Sequence, residues 1–177
     1  MKKILAFGAS NSSTSINKQF AQFASGQLTD VEVTLLDLND FEMPIYSIDR
    51  EKESGIPPEA VAFKNHIKAA DGILISFAEY NSSYTSAFKN IYDWVSRYEK
   101  DVWEQKPMFL MSTSPGKRGG KTVLAAALAR YEQKNENTMV TFSLPSFYEN
   151  FSKAEGITDE TLLADFRKQL VVFAGSL

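Results

Sequence analysis

Short apolar runs and longer amphipathic stretches alternate along the whole chain. Ile4-Leu5-Ala6-Phe7, Ile73-Leu74-Ile75 with Phe77, and Met108-Phe109-Leu110-Met111 are near-continuous apolar runs, the pattern of strands buried on both faces of a parallel sheet. Residues 31–38 alternate at their start, which suits an edge strand, and residues 138–145 read as a fifth strand. Apolar residues recur at helical spacing between these runs. One helix starts near Ser15 and carries Ile16, Phe20, Phe23 and Ala24; a second opens at Pro57-Pro58-Glu59 and carries Val61, Phe63 and Ile67. A third covers residues 84–98, a fourth starts near Lys121, and a fifth is capped by Thr158-Asp159. Five strands alternating with five helices predict an α/β fold, and right-handed crossovers fit a parallel sheet in the order 2-1-3-4-5. Ligands of such sheets bind beyond the carboxyl ends of the strands, at the switch point between strands one and three.

Three turns fall at that edge. The first, Ala9-Ser10-Asn11-Ser12-Ser13-Thr14-Ser15-Ile16-Asn17, is dense in hydroxyl and amide side chains between a strand and a helix N-terminus. Free backbone N–H groups, the helix dipole and the hydroxyls make this a site for an anion, and the plainer alternative is an ordinary N-cap. Neither Gly-x-Gly-x-x-Gly nor Gly-Lys-Ser/Thr occurs, so a monophosphate held without lysine fits better than a dinucleotide. The second turn, Ala78-Glu79-Tyr80-Asn81-Ser82-Ser83, opens directly into the third helix. The third, residues 112–120, holds Gly116, Gly119 and Gly120, which let backbone come close to a flat ligand.

Two further stretches carry expectations. Residues 39–57, with Pro44 and Gly55, read as a loop long enough for a lid or a partner contact. On the 84–98 helix, Tyr84, Ala87, Phe88, Ile91, Tyr92, Trp94, Val95 and Tyr98 fill an arc of roughly 160°. A helix on a sheet needs about 100°. The surplus predicts cover by another subunit or a ligand, or else by the 39–57 loop.

Composition narrows the chemistry. A chain of 177 residues, 44% apolar and 23% charged, reads as one globular domain spanning 1–177. A net charge of -3 and no basic stripe argue against nucleic acid. The chain has no cysteine, which removes disulfides and thiolate chemistry, and its one histidine, His66, sits in a helix without a nucleophile pattern. No catalytic side chain and no metal site is read. No apolar run approaches the roughly 20 residues of a membrane span, so no membrane role and a cytoplasmic location are expected.

The three turns together resemble the NADPH-dependent FMN reductase family of flavodoxin-like proteins, which includes quinone, azo-dye and chromate reductases. Ala9, Ser10, Ser12, Ser15 and Asn17 match the family's first loop, with Ser12 where it has arginine. Ala78-Glu79-Tyr80-Asn81-Ser82-Ser83, then Phe88-Lys89-Asn90-Ile91-Tyr92-Asp93-Trp94, match its second motif, with Ala78 in place of proline and Ser82 in place of glycine. The resemblance implies a flavodoxin-like three-layer sandwich binding FMN. Ser10, Ser12, Ser15, Ile16 and Asn17 would meet the phosphate, Glu79, Tyr80, Asn81 and Ser82 one edge of the ring, and Ser114 and Gly116 its other side. It also implies NADPH or NADH as reductant and a small-molecule electron acceptor, while the wide apolar arc of the 84–98 helix sets the expectation of a homodimer or homotetramer. Lys117 and Arg118 are either solvated turn residues or the holders of an adenosine 2′-phosphate.

Overall fold

Side-chain alternation along the central strands divides the core into two layers. The computed structural model describes residues 1–177. In chain order its elements are β1 (Lys2–Ala9), α1 (Ile16–Gly26), β2 (Val31–Leu36), a 3-10 turn (Leu38–Phe41), α2 (Ile48–Ser54), α3 (Pro58–Ala69), β3 (Gly72–Phe77) and α4 (Ser86–Tyr98). Then come β4 (Met108–Thr113), α5 (Lys121–Tyr131), β5 (Met139–Leu144), α6 (Phe147–Asn150), β6 (Phe151–Ser152), β7 (Gly156–Ile157) and α7 (Glu160–Gly175). β1 to β5 form one parallel sheet in the order 2-1-3-4-5, as the alternation predicts. Odd and even positions of a strand point to opposite faces. Thus Leu5, Phe7, Ile73, Ile75, Met108 and Leu110 pack under α3, α4 and α5. Ile4, Ala6, Leu74, Phe109 and Met111 pack under α1 and α7.

The helices bury the faces that their spacing marks. Phe166 of α7 meets Phe20, Phe109 and Phe142 at ring-centroid distances of 6.1, 5.8 and 5.5 Å. Truncating such a side chain to alanine costs about 3–5 kcal/mol. Gly8 sets how closely α1 lies on the sheet, because an added Cβ would stand 2.4 Å from the backbone nitrogen of Lys18. Only glycine lets the first turn of α1 cross directly over the end of β1.

The structure corrects two expectations. Residues 39–57 are not an open loop: the 3-10 turn runs into them from Leu38, α2 lies within them, and none of the residues of α2 is buried. With no apolar stripe, α2 gave no periodic signal. Ser47 caps it, accepting a hydrogen bond from the Arg50 backbone N–H at 3.2 Å, and Gly55 ends it at φ 75°. This segment covers part of the wide apolar arc of α4. Trp94 Nε1 donates to the Pro44 carbonyl at 2.7 Å, Tyr46 stands edge-on to Trp94 at 5.0 Å, and Asn90 bonds Met43, Pro44 and Tyr46 backbone groups. On the other flank Tyr92 packs on Trp103 and Tyr131. Most of the arc is therefore covered within the chain, and Tyr98 at its end stays exposed. Past β5, the short α6 and the β6–β7 hairpin stand where the sequence reading had no element. His66 is exposed and meets Phe41 edge-on at 5.9 Å.

Candidate functional site

The β1–α1 loop is built to leave backbone donors free. Ser15 caps α1 by accepting from the Lys18 backbone N–H at 3.1 Å, and Ser10 Oγ accepts from the Ser12 N–H at 3.2 Å. Each hydroxyl keeps its own hydrogen to donate. The N–H groups of Asn11, Ser13, Thr14, Ile16 and Asn17 have no acceptor in the protein. Unpaired donors at a helix N-terminus form a site for an anion. Lys18, next in sequence, is held by Asp37, whose carboxyl its ammonium keeps below the ordinary range.

The Asn17 side chain is taken up within the fold. It is 2% exposed, and its Oδ1 accepts from Ser76 Oγ at 2.7 Å and from the Thr113 N–H at 3.0 Å. Its Nδ2 donates to the Thr113 carbonyl at 3.1 Å. The side chain thus bridges the ends of β3 and β4, and the group Asn17 offers an anion is its backbone N–H.

The turn after β3 is a tight reversal. Tyr80 and Ser83 exchange backbone hydrogen bonds of 3.0 and 3.1 Å, with Asn81 at φ 52° and Ser82 at φ 61° between them. Two left-handed residues at the centre are the signature of a type I′ turn, which favours Asn-Gly. Ser82 holds the glycine position at a cost of about 1–2 kcal/mol. Thr85, buried at the start of α4, donates to the Ala9 carbonyl at 2.9 Å and accepts from the Phe88 N–H at 3.2 Å. Glu79 Oε2 accepts from the Val123 N–H at 2.8 Å, which caps α5 from across the edge because Gly120 offers no side chain of its own. Gly119 and Gly120 take φ 59° and 73°, and a Cβ on Gly119 would stand 2.9 Å from the Leu144 backbone. Ser112 and Ser143 both donate to the Gly119 carbonyl, which fixes the third turn.

These turns enclose a cleft of ≈ 230 Å³ at the carboxyl edge of the sheet. Ser10, Ser12, Ser15, Ile16, Asn17, Glu79, Tyr80 and Ser114 of the expected residues line it together. Asn81, Ser82 and Gly116 are exposed and lie outside the lining: the first two form the turn that presents Tyr80, and the Gly116 carbonyl accepts from the Ser146 and Gly119 N–H groups. Lys117 and Arg118 are exposed and do not line it, and Arg118 donates to Thr122 at 2.8 Å. No lining residue is basic. Ala78, which stands where the second motif has proline, lines it too, as do Thr14, Thr113, Pro115 and Tyr148, which were not among the expected site residues. Tyr148 stands on α6 just past the carboxyl end of β5 and is 73% exposed. Its position after a fifth strand was the available signal, under the same edge rule that marked the other turns.

A parallel sheet in this order, with an anion cradle after β1 and aromatic rims after β3 and β5, defines the flavodoxin-like class of binding fold. The sequence profile of the family described as NADPH-dependent FMN reductase matches residues 2–147, and the chain belongs to that family. Membership implies FMN and a nicotinamide cofactor. Among curated relatives, a 2-hydroxy-1,4-benzoquinone reductase of a Burkholderia species is 40% identical over 107 residues, 59% of this chain and 56% of that protein. An NAD(P)H-dependent FMN reductase of Pseudomonas aeruginosa is 32% identical over 118 residues, 66% of this chain and 62% of that protein. The chain spans about half the length of the curated relatives it matches. Among solved structures, the flavoenzyme NAD(P)H:acceptor oxidoreductase of Paracoccus denitrificans superposes with a TM-score of 0.77 at 24% identity, over 99% of this chain and 97% of that one. That likeness speaks for the fold. No helix is long and apolar enough to cross a membrane.

Proposed function

We propose that the protein is an FMN-dependent oxidoreductase that passes electrons from NADPH or NADH to a small acceptor, either free flavin or a quinone. One observation carries the reading: Thr14, Ile16 and Asn17, whose backbone N–H groups are unpaired, line the same cleft as the exposed rings of Tyr80 and Tyr148. A donor cradle suits one phosphate and the rims suit a flat ring, which fits FMN. In the proposed complex the Ile16 and Asn17 N–H groups and the hydroxyls of Ser10, Ser12 and Ser15 hold the phosphate. Glu79 and Tyr80 border the ring on one side with Asn81 and Ser82 shaping the turn behind them, and Ser114 borders it on the other with Gly116 behind. When bound, FMN supplies the hydride and electron transfer. The residues of the chain bind, orient and exclude water, and none is assigned a proton transfer. The names of the Burkholderia and Pseudomonas relatives support quinone and flavin as acceptor classes.

Mixing NADPH anaerobically with FMN-loaded protein tests this: the flavin absorbance should bleach within seconds. A flavin reduced by dithionite but by neither nucleotide would reject the reductase and leave an electron carrier of flavodoxin type. We further propose a homodimer or homotetramer, supported by Ile45, 75% exposed, beside a groove of ≈ 260 Å³ that runs between the 38–45 segment and the start of α4. Light scattering at micromolar concentration should report a multiple of the 19.8 kDa chain mass. The nicotinamide reductant supports a cytoplasmic location.

A further inference from the structure

Tyr148 is 73% exposed, more than any other tyrosine, tryptophan or phenylalanine of the chain, yet the segment that carries it is fixed. The Ser146 N–H donates to the Gly116 carbonyl and the Phe147 N–H to the Ser114 carbonyl, both at 3.0 Å. Asn150 Nδ2 donates to the Pro145 carbonyl at 2.9 Å. Ser146 holds φ 45° while 6% exposed, a left-handed conformation that a residue other than glycine keeps only where its surroundings enforce it. Phe147 stacks on Phe151 at 4.7 Å, and Phe151 meets Phe20 and Phe23 of α1 at 6.2 and 5.4 Å. α6 is thus tied to the third turn at one end and to α1 at the other. The Tyr148 side chain takes no part in these ties. Its hydroxyl is in none of the hydrogen bonds around α6, and the one ring it meets is Phe147, edge-on at 5.5 Å.

The anchoring sets which end of the cleft Tyr148 reaches. It lines the cleft together with the cradle residues Ser12, Thr14 and Ser15. Phe147 packs in the core layer under α1 and α7, whereas Tyr80 leads into α4 on the opposite face of the sheet. Tyr148 therefore stands on the α1 side, beside the anion cradle. A phosphate monoester brings close to two negative charges and three strong acceptor oxygens. The cradle donors all belong to residues 10–17, and no lining residue is basic. Lys18, the nearest cation in sequence, is occupied by Asp37. Phosphate oxygens turned away from α1 need a donor from elsewhere, and a phenol supplies one without charge.

We propose that Tyr148 is a specificity-determining residue for the phosphorylated flavin, its hydroxyl donating to the phosphate from outside the β1–α1 loop in the role a cation would fill. The inference rests on the reading of the cleft as an FMN site. The test titrates apo protein with FMN and with riboflavin, which has the same ring and ribityl chain but no phosphate, following flavin fluorescence. The parent should favour FMN at least tenfold. A hydrogen bond to a charged group is worth about tenfold or more in affinity. Tyr148→Phe, which keeps the ring, should therefore cut FMN affinity about tenfold and leave that of riboflavin within about twofold. The melting temperature of the apo protein should not move, because no hydrogen bond within the fold is lost. The ³¹P resonance of bound FMN should differ between parent and variant. A parent that binds riboflavin as tightly as FMN would take the phosphate out of the cradle, and the inference would fall with that reading. A parent that favours FMN, beside a Tyr148→Phe protein that keeps the full FMN affinity or loses FMN and riboflavin alike, would overturn the role of Tyr148 alone.

Discussion

Asn17→Ala separates a ligand contact from a tie within the fold. The substitution removes the acceptor of Ser76 Oγ and of the Thr113 N–H, and the donor to the Thr113 carbonyl. Both Ser76 and Thr113 are buried, so water reaches the orphaned groups poorly. Each buried group left unpaired costs about 1–3 kcal/mol, and with partial relaxation the three together cost on the order of 3–5 kcal/mol. For a chain of this size 1 kcal/mol moves the melting temperature by about 2–4 °C, so a fall on the order of 10 °C is expected. Asn17→Asp should fare little better, because an oxygen then faces the Thr113 carbonyl in place of the Nδ2 donor. Ser15→Ala loses only a cap, about 1 kcal/mol. The assay is thermal unfolding of the apo protein by circular dichroism, paired with titration of FMN at a temperature where each variant is folded. An Asn17→Ala protein that melts within about 2 °C of the parent yet binds FMN ten times more weakly would refute the reasoning and return the side chain to the phosphate.

Four shorter predictions follow from the same geometry. Ser82→Gly should raise the melting temperature, because it relieves the left-handed strain at φ 61°, worth about 1–2 kcal/mol less the extra chain entropy of glycine; an unchanged or lower value would deny the strain. Glu79→Ala should speed amide exchange at Val123 and fray the first turn of α5, at a cost of about 1 kcal/mol, whereas unchanged exchange would show that the cap is unimportant. Tyr148→Ala should weaken FMN without changing the melting temperature of the apo protein, and equal affinity would remove that ring from the site. Hydrogen bonds from Lys18, Arg97, the Lys3 N–H and Lys68 hold Asp37, Glu51, Asp71 and Glu99 below their ordinary values of 3.8 and 4.5. The folded state thus releases these protons more readily than the unfolded state, so the stabilisation is complete above pH 4.5 and is lost as pH falls through the folded values. Melting temperature should be flat near neutrality and drop in acid, and a flat profile down to pH 3 would contradict these pairs.

What the sequence disclosed follows from what repeats. β1, β3 and β4 are buried along nearly their whole length, so their apolar runs are continuous, and the sheet order came from handedness rules applied to them. α4 was legible for its stripe, but its surplus aromatics were not assignable, since what covers them comes from other elements, Pro44 and Tyr46 on one flank and Trp103 and Tyr131 on the other. α2 buries nothing, α6 has four residues, and β6 and β7 have two each. Periodicity has no purchase on such elements. At the cleft, composition marked the polar turns that the fold brings together but could not divide their labour. Ser10 and Ser15 face the cleft with hydroxyls still able to donate, while Asn17, in the same run, turns inward to β3 and β4.

That division bears on how the cleft can bind. Each of its walls is tied to another by a side chain reaching a distant backbone group. Thr85 bonds the Ala9 carbonyl, Asn17 bonds Thr113, and Glu79 bonds the Val123 N–H. The loops are therefore held to one another before any ligand arrives, and ordering them adds little to the free-energy cost of association. This offsets the lack of a basic side chain among the lining residues. An arginine at the position of Ser12 would attract a phosphate by charge, at the cost of ordering a long side chain. Fixed N–H groups give less attraction but are already in place. Ser12→Arg therefore tests which effect wins. If charge is limiting, FMN affinity should rise at low salt and the gain should fade as ionic strength rises, since exposed charges are screened beyond about 10 Å at 0.1 M. A gain that persists at high salt would show that the loop, as it stands, lacks a specific hydrogen-bond donor, and the view of the cleft as preformed would then fail.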